Sequence, residues 1–184
     1  MRRAVFLDLD GTINEEREYL HRVEEFVFIP GVPEAIRDLR RAGFLVIVVT
    51  NQSGIGRGYY DEAALDRLHA HMDRELERVG AAVDAYYFCP HHPEHGVGGY
   101  RRECDCRKPL PGMLLTAARE WGVDLGASFL VGDKRADVDA ALAAGCRPVL
   151  VRTGYGAVEA LKVPPDVPVC ADLPEAVRMI LQAA

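Results

Sequence analysis

The sequence predicts an α/β fold built on a mostly parallel sheet with helices on both faces. Three observations carry that reading: short apolar runs recur along the chain, amphipathic segments separate them, and several of those segments close on a glycine before the next run. The apolar runs at 4–9, 44–49, 83–88, 128–131 and 148–151 are the expected strands. Helices are expected at 33–42, from Asp61 onward, at 111–121, at 135–144 and at 173–182.

Each helix has a local reason. From Asp61, Leu65, Leu68, Met72, Leu76 and Val79 form one apolar stripe, with charged residues elsewhere, so His69 and His71 are expected to be solvated. Pro33 and Pro111 suit first-turn positions. Gly43, Gly80, Gly122 and Gly145 suit left-handed caps. Strand–helix alternation implies right-handed crossovers and a Rossmann-like sheet covered on both sides. In such a sheet, residues that follow different strands gather along one edge, where open α/β folds bind ligands. The glycine-rich run Ser53-Gly54-Ile55-Gly56-Arg57-Gly58 lacks the spacing of a dinucleotide loop and is expected to be a flexible loop beside that edge.

Composition sets further bounds. The chain has 184 residues, 49% of them apolar and 27% charged, which suits one domain spanning 1–184 with a proper core. A net charge of -6 argues against broad contact with nucleic acid or an anionic membrane. Met1-Arg2-Arg3 is followed by only four apolar residues before Asp8, so no signal peptide is expected, and no run reaches membrane-spanning length. A cytoplasmic monomer is the expectation.

Asp8-Leu9-Asp10-Gly11-Thr12 stands directly behind the first apolar run. Two carboxylates at a strand end need a cation, a hydrogen-bond network or a chemical role, because burial penalises unpaired charge. Thr50-Asn51 follows the second run, Arg107-Lys108-Pro109 opens a helix, and Gly132-Asp133 follows a later run with Asp137 beyond. Taken alone, Gly132-Asp133 and Asp137 would read as acids at a helix N-terminus. In this order the four segments resemble the motifs of the haloacid dehalogenase-like phosphohydrolases. The resemblance implies that Asp8 attacks phosphorus and that Asp10 acts as acid, then base. It also implies Mg²⁺ held by Asp8, the main-chain carbonyl of Asp10, and Asp133, with Thr50 and Lys108 stabilising the phosphoryl group. Asp137 is expected behind the ligands.

Five cysteines are an odd count, and Cys89, Cys104 and Cys106 cluster with histidines. Cys89-Pro90-His91 and Cys104-Asp105-Cys106 form two chelating pairs, giving three thiolates and one imidazole for a structural Zn²⁺. His92 and His95 are alternative nitrogen ligands, and a redox role for the thiols is the competing reading. Cys146 and Cys170 read as buried small side chains.

These cysteines, with Arg107-Lys108-Pro109 behind them, resemble the zinc-bearing sugar and amino-alcohol phosphatases. The long intervening loop, Thr50-Asn51-Gln52-Ser53-Gly54, and Leu150-Val151-Arg152-Thr153-Gly154 favour the heptose-bisphosphate members over histidinol-phosphate or other small-molecule phosphatases. The resemblance implies a phosphorylated sugar as the small-molecule partner. It assigns substrate contacts to Asp8, Leu9, Asp10, Glu16, Arg17, Glu18, Tyr19, Thr50, Asn51, Gln52, Ser53, Arg107, Lys108 and Lys134. No separate cap is expected, so the zinc loop at 89–106 and the segment at 15–25 must shape the entrance. Arg101 or Arg102, both on the loop leading to Arg107, is expected to help hold a distal phosphate. A zinc-containing nucleic-acid module, contacting its partner through Arg101, Arg102, Arg107 and Lys108, is the contrasting reading, and four basic residues make a poor footprint for it.

Overall fold

The computed structural model describes residues 1–183. Among them, six strands form one sheet: β1 (Ala4–Leu7), β2 (Leu45–Asn51), β3 (Ala85–Cys89), β4 (Phe129–Gly132), β5 (Arg147–Val151) and β6 (Val169–Cys170). Their order is β3-β2-β1-β4-β5-β6, and every pairing is parallel. Sequence order reverses at β1, which therefore sits at the switch point where a crevice opens at the carboxyl ends.

The helices are α1 (Val32–Arg41), α2 (Ser53–Gly56), α3 (Glu62–Glu77), α4 (Gly112–Trp121), α5 (Arg135–Ala144), α6 (Gly156–Glu159) and α7 (Leu173–Ala183). Alternation along β1 and β2 divides the core between the two faces of the sheet. Val5, Leu7, Val46 and Val48 face a cluster that includes α1, α3 and α7, whereas Ala4, Phe6, Leu45, Ile47 and Val49 face α4 and α5. The predicted stripe of α3 is buried at Leu65, Leu68, Met72 and Leu76, each contributing about 1.5–3 kcal/mol relative to exposure. The Asp61 side chain caps that helix, accepting from the Ala64 N–H at 2.8 Å. Gly122 and Gly145 close α4 and α5 in left-handed conformation, as their positions required.

Several expectations need correction. β2 runs two residues further than its apolar run, because Thr50 and Asn51 still pair with Phe88 and Cys89. Thr50 is thus the penultimate residue of a strand rather than the residue after one. Ser53-Gly54-Ile55-Gly56 is the short helix α2 rather than a flexible loop, and Gly54, Ile55 and Gly56 are buried. Its glycines serve close approach: a Cβ on Gly56 would lie 2.3 Å from the Pro90 carbonyl oxygen. Arg107-Lys108-Pro109 does not open a helix; α4 starts at Gly112, and Pro111 is its N-cap. His69 is buried and stacks on Tyr86 at 4.1 Å, and His71 lies 5.7 Å from Phe26, so neither is simply solvated. α6 and the two-residue β6 were too short to leave a periodic signal.

Candidate active site and thiolate cluster

Sheet register assembles the acidic centre. Leu7 of β1 pairs with Val48 of β2 and Val131 of β4, so the residues just beyond all three reach the same edge. The Asp8 N–H continues the ladder by donating to the Val131 carbonyl at 3.0 Å. Lys108 arrives from the other side and is almost wholly enclosed. Its Nζ donates to Asp8 Oδ1 at 2.9 Å, Asp137 Oδ1 at 2.6 Å and the Val49 carbonyl at 2.8 Å. Burial disfavours its charge, but the Asp137 and Asp8 carboxylates outweigh burial and raise its pKa. Asn51 clamps the backbone that delivers it: Nδ2 donates to the Lys108 carbonyl and Oδ1 accepts from the Lys108 N–H, both at 3.0 Å.

Asp133 is the most informative member. It is fully buried; Oδ2 accepts from the Tyr155 N–H at 2.9 Å, whereas Oδ1 has no hydrogen-bond partner. A buried carboxylate oxygen without a donor is costly unless a cation meets it. Carboxylate oxygens of Asp8, Asp133 and Asp137 lie within 4.8 Å of one another. Burial, reinforced by the Asp8 and Asp137 charges, pushes Asp133 up to about 8. An all-oxygen set with surplus negative charge fits a hard divalent ion such as Mg²⁺. Gly11 is required beside it: at φ +85° it has no Cβ, which would otherwise lie 2.3 Å from Asp133 Oδ2.

Asp10 occupies a different environment. Asn14 Nδ2 donates to its Oδ1 at 3.0 Å, and Gln52 Nε2 to its Oδ2 at 3.2 Å. Burial, with help from Glu16 and Asp8 and opposed by those two amides, pushes Asp10 up to about 6. A carboxyl poised there can exchange a proton near neutral pH. Gln52 Nε2 also donates to Thr50 Oγ1 at 2.9 Å. The cleft around these groups is about 500 Å³, with Glu16, Glu18, Tyr19, Arg107 and Lys134 on its walls.

The second cluster lies at the end of β3. Cys89, His91, Cys104 and Cys106 place one ligand atom each within 4.8 Å of the others. Cys104 Sγ is 3.5 Å from Cys89 and 3.4 Å from Cys106, and His91 Nδ1 is 3.4 Å from Cys106. Sulfurs around a tetrahedral zinc stand ~3.8 Å apart, so most of these spacings suit that ion, with Cys89–Cys106 contracted to 2.8 Å. His92 is not a member: its Nδ1 accepts the N–H groups of Glu94 and His95 at 3.2 and 3.1 Å. Cys146 and Cys170 are buried and isolated.

A HAD-hydrolase-like family model matches residues 105–176. The chain is 46% identical over 178 residues to the D-glycero-beta-D-manno-heptose-1,7-bisphosphate 7-phosphatase of Yersinia pestis, covering 95% of each. To the protein of that name from Photorhabdus laumondii it is 51% identical over 152 residues, or 82% of this chain and 81% of the relative. The chain belongs to the heptose-1,7-bisphosphate 7-phosphatase family. Among solved structures, the D,D-heptose 1,7-bisphosphate phosphatase of B. bronchiseptica, complexed with magnesium and phosphate, superimposes with a TM-score of 0.89 at 39% identity. It covers 99% of both chains. The Burkholderia thailandensis counterpart gives 0.73 at 33% identity, over 98% of this chain and 99% of that one.

Set beside that family, the site residues expected from the sequence divide unevenly. Asp8, Asp10, Glu16, Glu18, Tyr19, Thr50, Asn51, Gln52, Ser53, Arg107, Lys108 and Lys134 all line one cleft. Leu9 does not, because its side chain is fully buried in the core. Arg17 pairs with Glu15 at 2.9 Å, beside a neighbouring shallow groove. Arg101 is exposed and Arg102 Nε lies 3.1 Å from His91 Nε2, so Arg107, not these two, faces the cleft. Glu18 and Tyr19 adopt left-handed φ of 32° and 55°, an uncommon state for such residues and one that tends to gather at ligand sites. Tyr60 and Tyr155 also line the cleft and were not read from the sequence. Asn14 could have been, lying four residues past Asp10 in the same turn.

Proposed function

We propose that this chain is a Mg²⁺-dependent phosphatase that removes the 7-phosphate of D-glycero-D-manno-heptose 1,7-bisphosphate, leaving heptose 1-phosphate for nucleotide-activated heptose synthesis. The observation that carries this reading is the buried constellation of Asp8, Asp133, Asp137 and Lys108 beside a separately held Asp10. Asp8 is the nucleophile, attacking phosphorus to form an aspartyl-phosphate, and the Lys108 ammonium at 2.9 Å orients it. Asp10 gives its proton to the departing ester oxygen, then takes one from the water that hydrolyses the intermediate. Thr50 donates toward the phosphoryl oxygens and the Lys108 charge stands beside them, where negative charge is held in the transition state. Held by Asp8, Asp133 and the Asp10 carbonyl, Mg²⁺ would relieve repulsion between nucleophile and phosphate. Asp137 fixes Lys108 from behind.

Substrate recognition falls to the cleft walls. Arg107 supplies a cation, while Glu16 and Glu18 are suited to sugar hydroxyls; Glu16 already stands 3.9 Å from Lys134 Nζ. Cys89, His91, Cys104 and Cys106 would hold a Zn²⁺ that fixes the loop ending in Arg107 and Lys108, a positioning role rather than a chemical one. Among the described residues, no helix is long and apolar enough to cross a membrane. Free thiols and a biosynthetic role support a cytoplasmic setting.

The test is a comparison of specificity constants for both anomers of the bisphosphate and for histidinol phosphate, with and without Mg²⁺. The heptose bisphosphate should be preferred, the beta anomer first, as in the relatives' names. Comparable turnover of histidinol phosphate would remove the heptose assignment, and metal-independent turnover would remove the mechanism.

A further inference from the structure

Tyr60 reaches the proton-transfer carboxylate through one intermediary. Its hydroxyl bonds Gln52 Oε1, and Gln52 Nε2 bonds both Asp10 Oδ2 and Thr50 Oγ1. Gln52 is buried, so its amide cannot exchange these partners for water. An amide has one acceptor end and one donor end, and Asp10 accepts only from the donor end when ionised. Rotated by half a turn, Gln52 would set its carbonyl oxygen against the carboxylate. The Tyr60 O–H anchors the far end of that amide: it donates to Oε1 while Nε2 donates to Asp10 Oδ2 and Thr50 Oγ1, so both ends of Gln52 are held in the orientation that faces Nε2 to the carboxylate. Burial, followed by the Asp10 charge, raises the phenol's pKa further, so it stays a donor throughout the useful pH range. The ring itself is held: it stacks on His21 at 4.9 Å and 7°, and Gly54 leaves room for it, since a Cβ there would lie 2.2 Å from Tyr60 Cε1.

We propose that Tyr60 is a positioning residue of this site, whose hydroxyl fixes the Gln52 amide so that Gln52 holds Asp10 in place for proton transfer. The inference rests on Asp10 being the proton-transfer group. Asn14 secures the other oxygen of the same carboxylate, so losing the Gln52 contact frees one side of Asp10 and leaves the residue attached. The consequence belongs to the chemical step rather than to substrate capture.

Steady-state kinetics of the full chain with Mg²⁺ and heptose bisphosphate test this. Tyr60→Phe keeps the stacked ring and removes only the hydroxyl. It should lower kcat about tenfold, part of the ~10²–10⁴ that a well-placed acid–base group contributes, with KM and the half-activating Mg²⁺ concentration within twofold. A merely structural role would lower the unfolding midpoint and leave kcat alone. Gln52→Ala should lower kcat at least as far, and adding Tyr60→Phe to it should change nothing more. Gln52→Glu, which keeps an acceptor for Tyr60 and faces Asp10 with a second carboxylate, should also lose turnover. A Tyr60→Phe kcat within twofold of the unsubstituted chain, multiplicative losses in the double variant, or an active Gln52→Glu overturns the proposal. Should the unsubstituted chain ignore the bisphosphate, the substrate reading fails, and the same ratios on histidinol phosphate or p-nitrophenyl phosphate decide the role of Tyr60.

Discussion

Replacing Lys108 by Met should destabilise the fold and stop turnover together, and the two losses have separable causes. Met fills nearly the same volume, so the cavity contribution is small. What disappears is a buried ammonium with three bonds, two of them to the carboxylates of Asp8 and Asp137 at 2.9 and 2.6 Å. Charge-assisted bonds contribute ~1.5–3 kcal/mol each, and removing one partner of a buried pair costs ~3–5 kcal/mol because the remaining charge is stranded. The expected destabilisation is therefore about 3–5 kcal/mol, which for a chain of 184 residues lowers the midpoint by roughly 6–20 °C. Urea unfolding in magnesium-free buffer reads it. The deficit should shrink as the pH falls, because burial already pushes Asp137 up to about 6 and protonation removes its stranded charge. Adding Asp137→Asn should restore part of the loss, giving a coupling of at least ~1.5 kcal/mol in a double-mutant cycle. Turnover should fall by ~10²–10³ in both variants, since neither retains the cation beside the phosphoryl oxygens. A loss below ~1 kcal/mol, or strict additivity with Asp137→Asn, would refute the account of Lys108 as the counter-charge of the site.

Other measurements bear on other parts of the molecule. Asp8→Asn should abolish steady-state turnover with the unfolding transition retained, because an amide cannot form the aspartyl-phosphate; residual turnover near the parent rate contradicts nucleophilic catalysis. Cys106→Ser should lose bound zinc, measured by metal analysis, and increase hydrogen exchange across 89–108; unchanged metal content removes the proposed role. Burial, against the raising effect of Asp66 and Asp73, lowers His69 to about 4 from an ordinary 6.5, so the unfolded chain binds the extra proton between those values. Its contribution is complete above pH 6.5 and declines as the pH drops toward 4, by on the order of 3 kcal/mol in all. His69→Phe, which keeps an aromatic ring against Tyr86, should flatten the acid limb of the stability profile; an unaltered limb assigns the acid sensitivity elsewhere.

Much of the candidate site was legible because its residues sit at fixed offsets from apolar runs. Asp8, Thr50 and Asp133 each stand at a strand's carboxyl end, and parallel topology alone brings such positions together. The cluster of Cys89, His91, Cys104 and Cys106 was legible for a similar reason, as two short pairs whose geometry is mostly local. Leu9 stands between Asp8 and Asp10, yet its side chain turns into the core, because adjacency in a motif says nothing about direction; only its main chain is left to meet a ligand. Arg101 and Arg102, near Arg107 in sequence, stand outside the cleft that Arg107 lines, a difference set by the fold of the loop rather than by its order. The glycines of α2 looked like freedom and are instead close packing, against Tyr60 and Pro90.

From the order of its residues alone, this chain determined the α/β class, the parallel sheet, the acidic pair behind β1 and the cysteine–histidine cluster, since periodicity and short spacings are local properties. Only the tertiary structure decided which carboxylates share Lys108, that Asp133 keeps an oxygen without a donor, and that Tyr60 reaches Asp10 through Gln52. Those contacts join residues up to 100 positions apart, and their strength depends on burial, which no local pattern encodes.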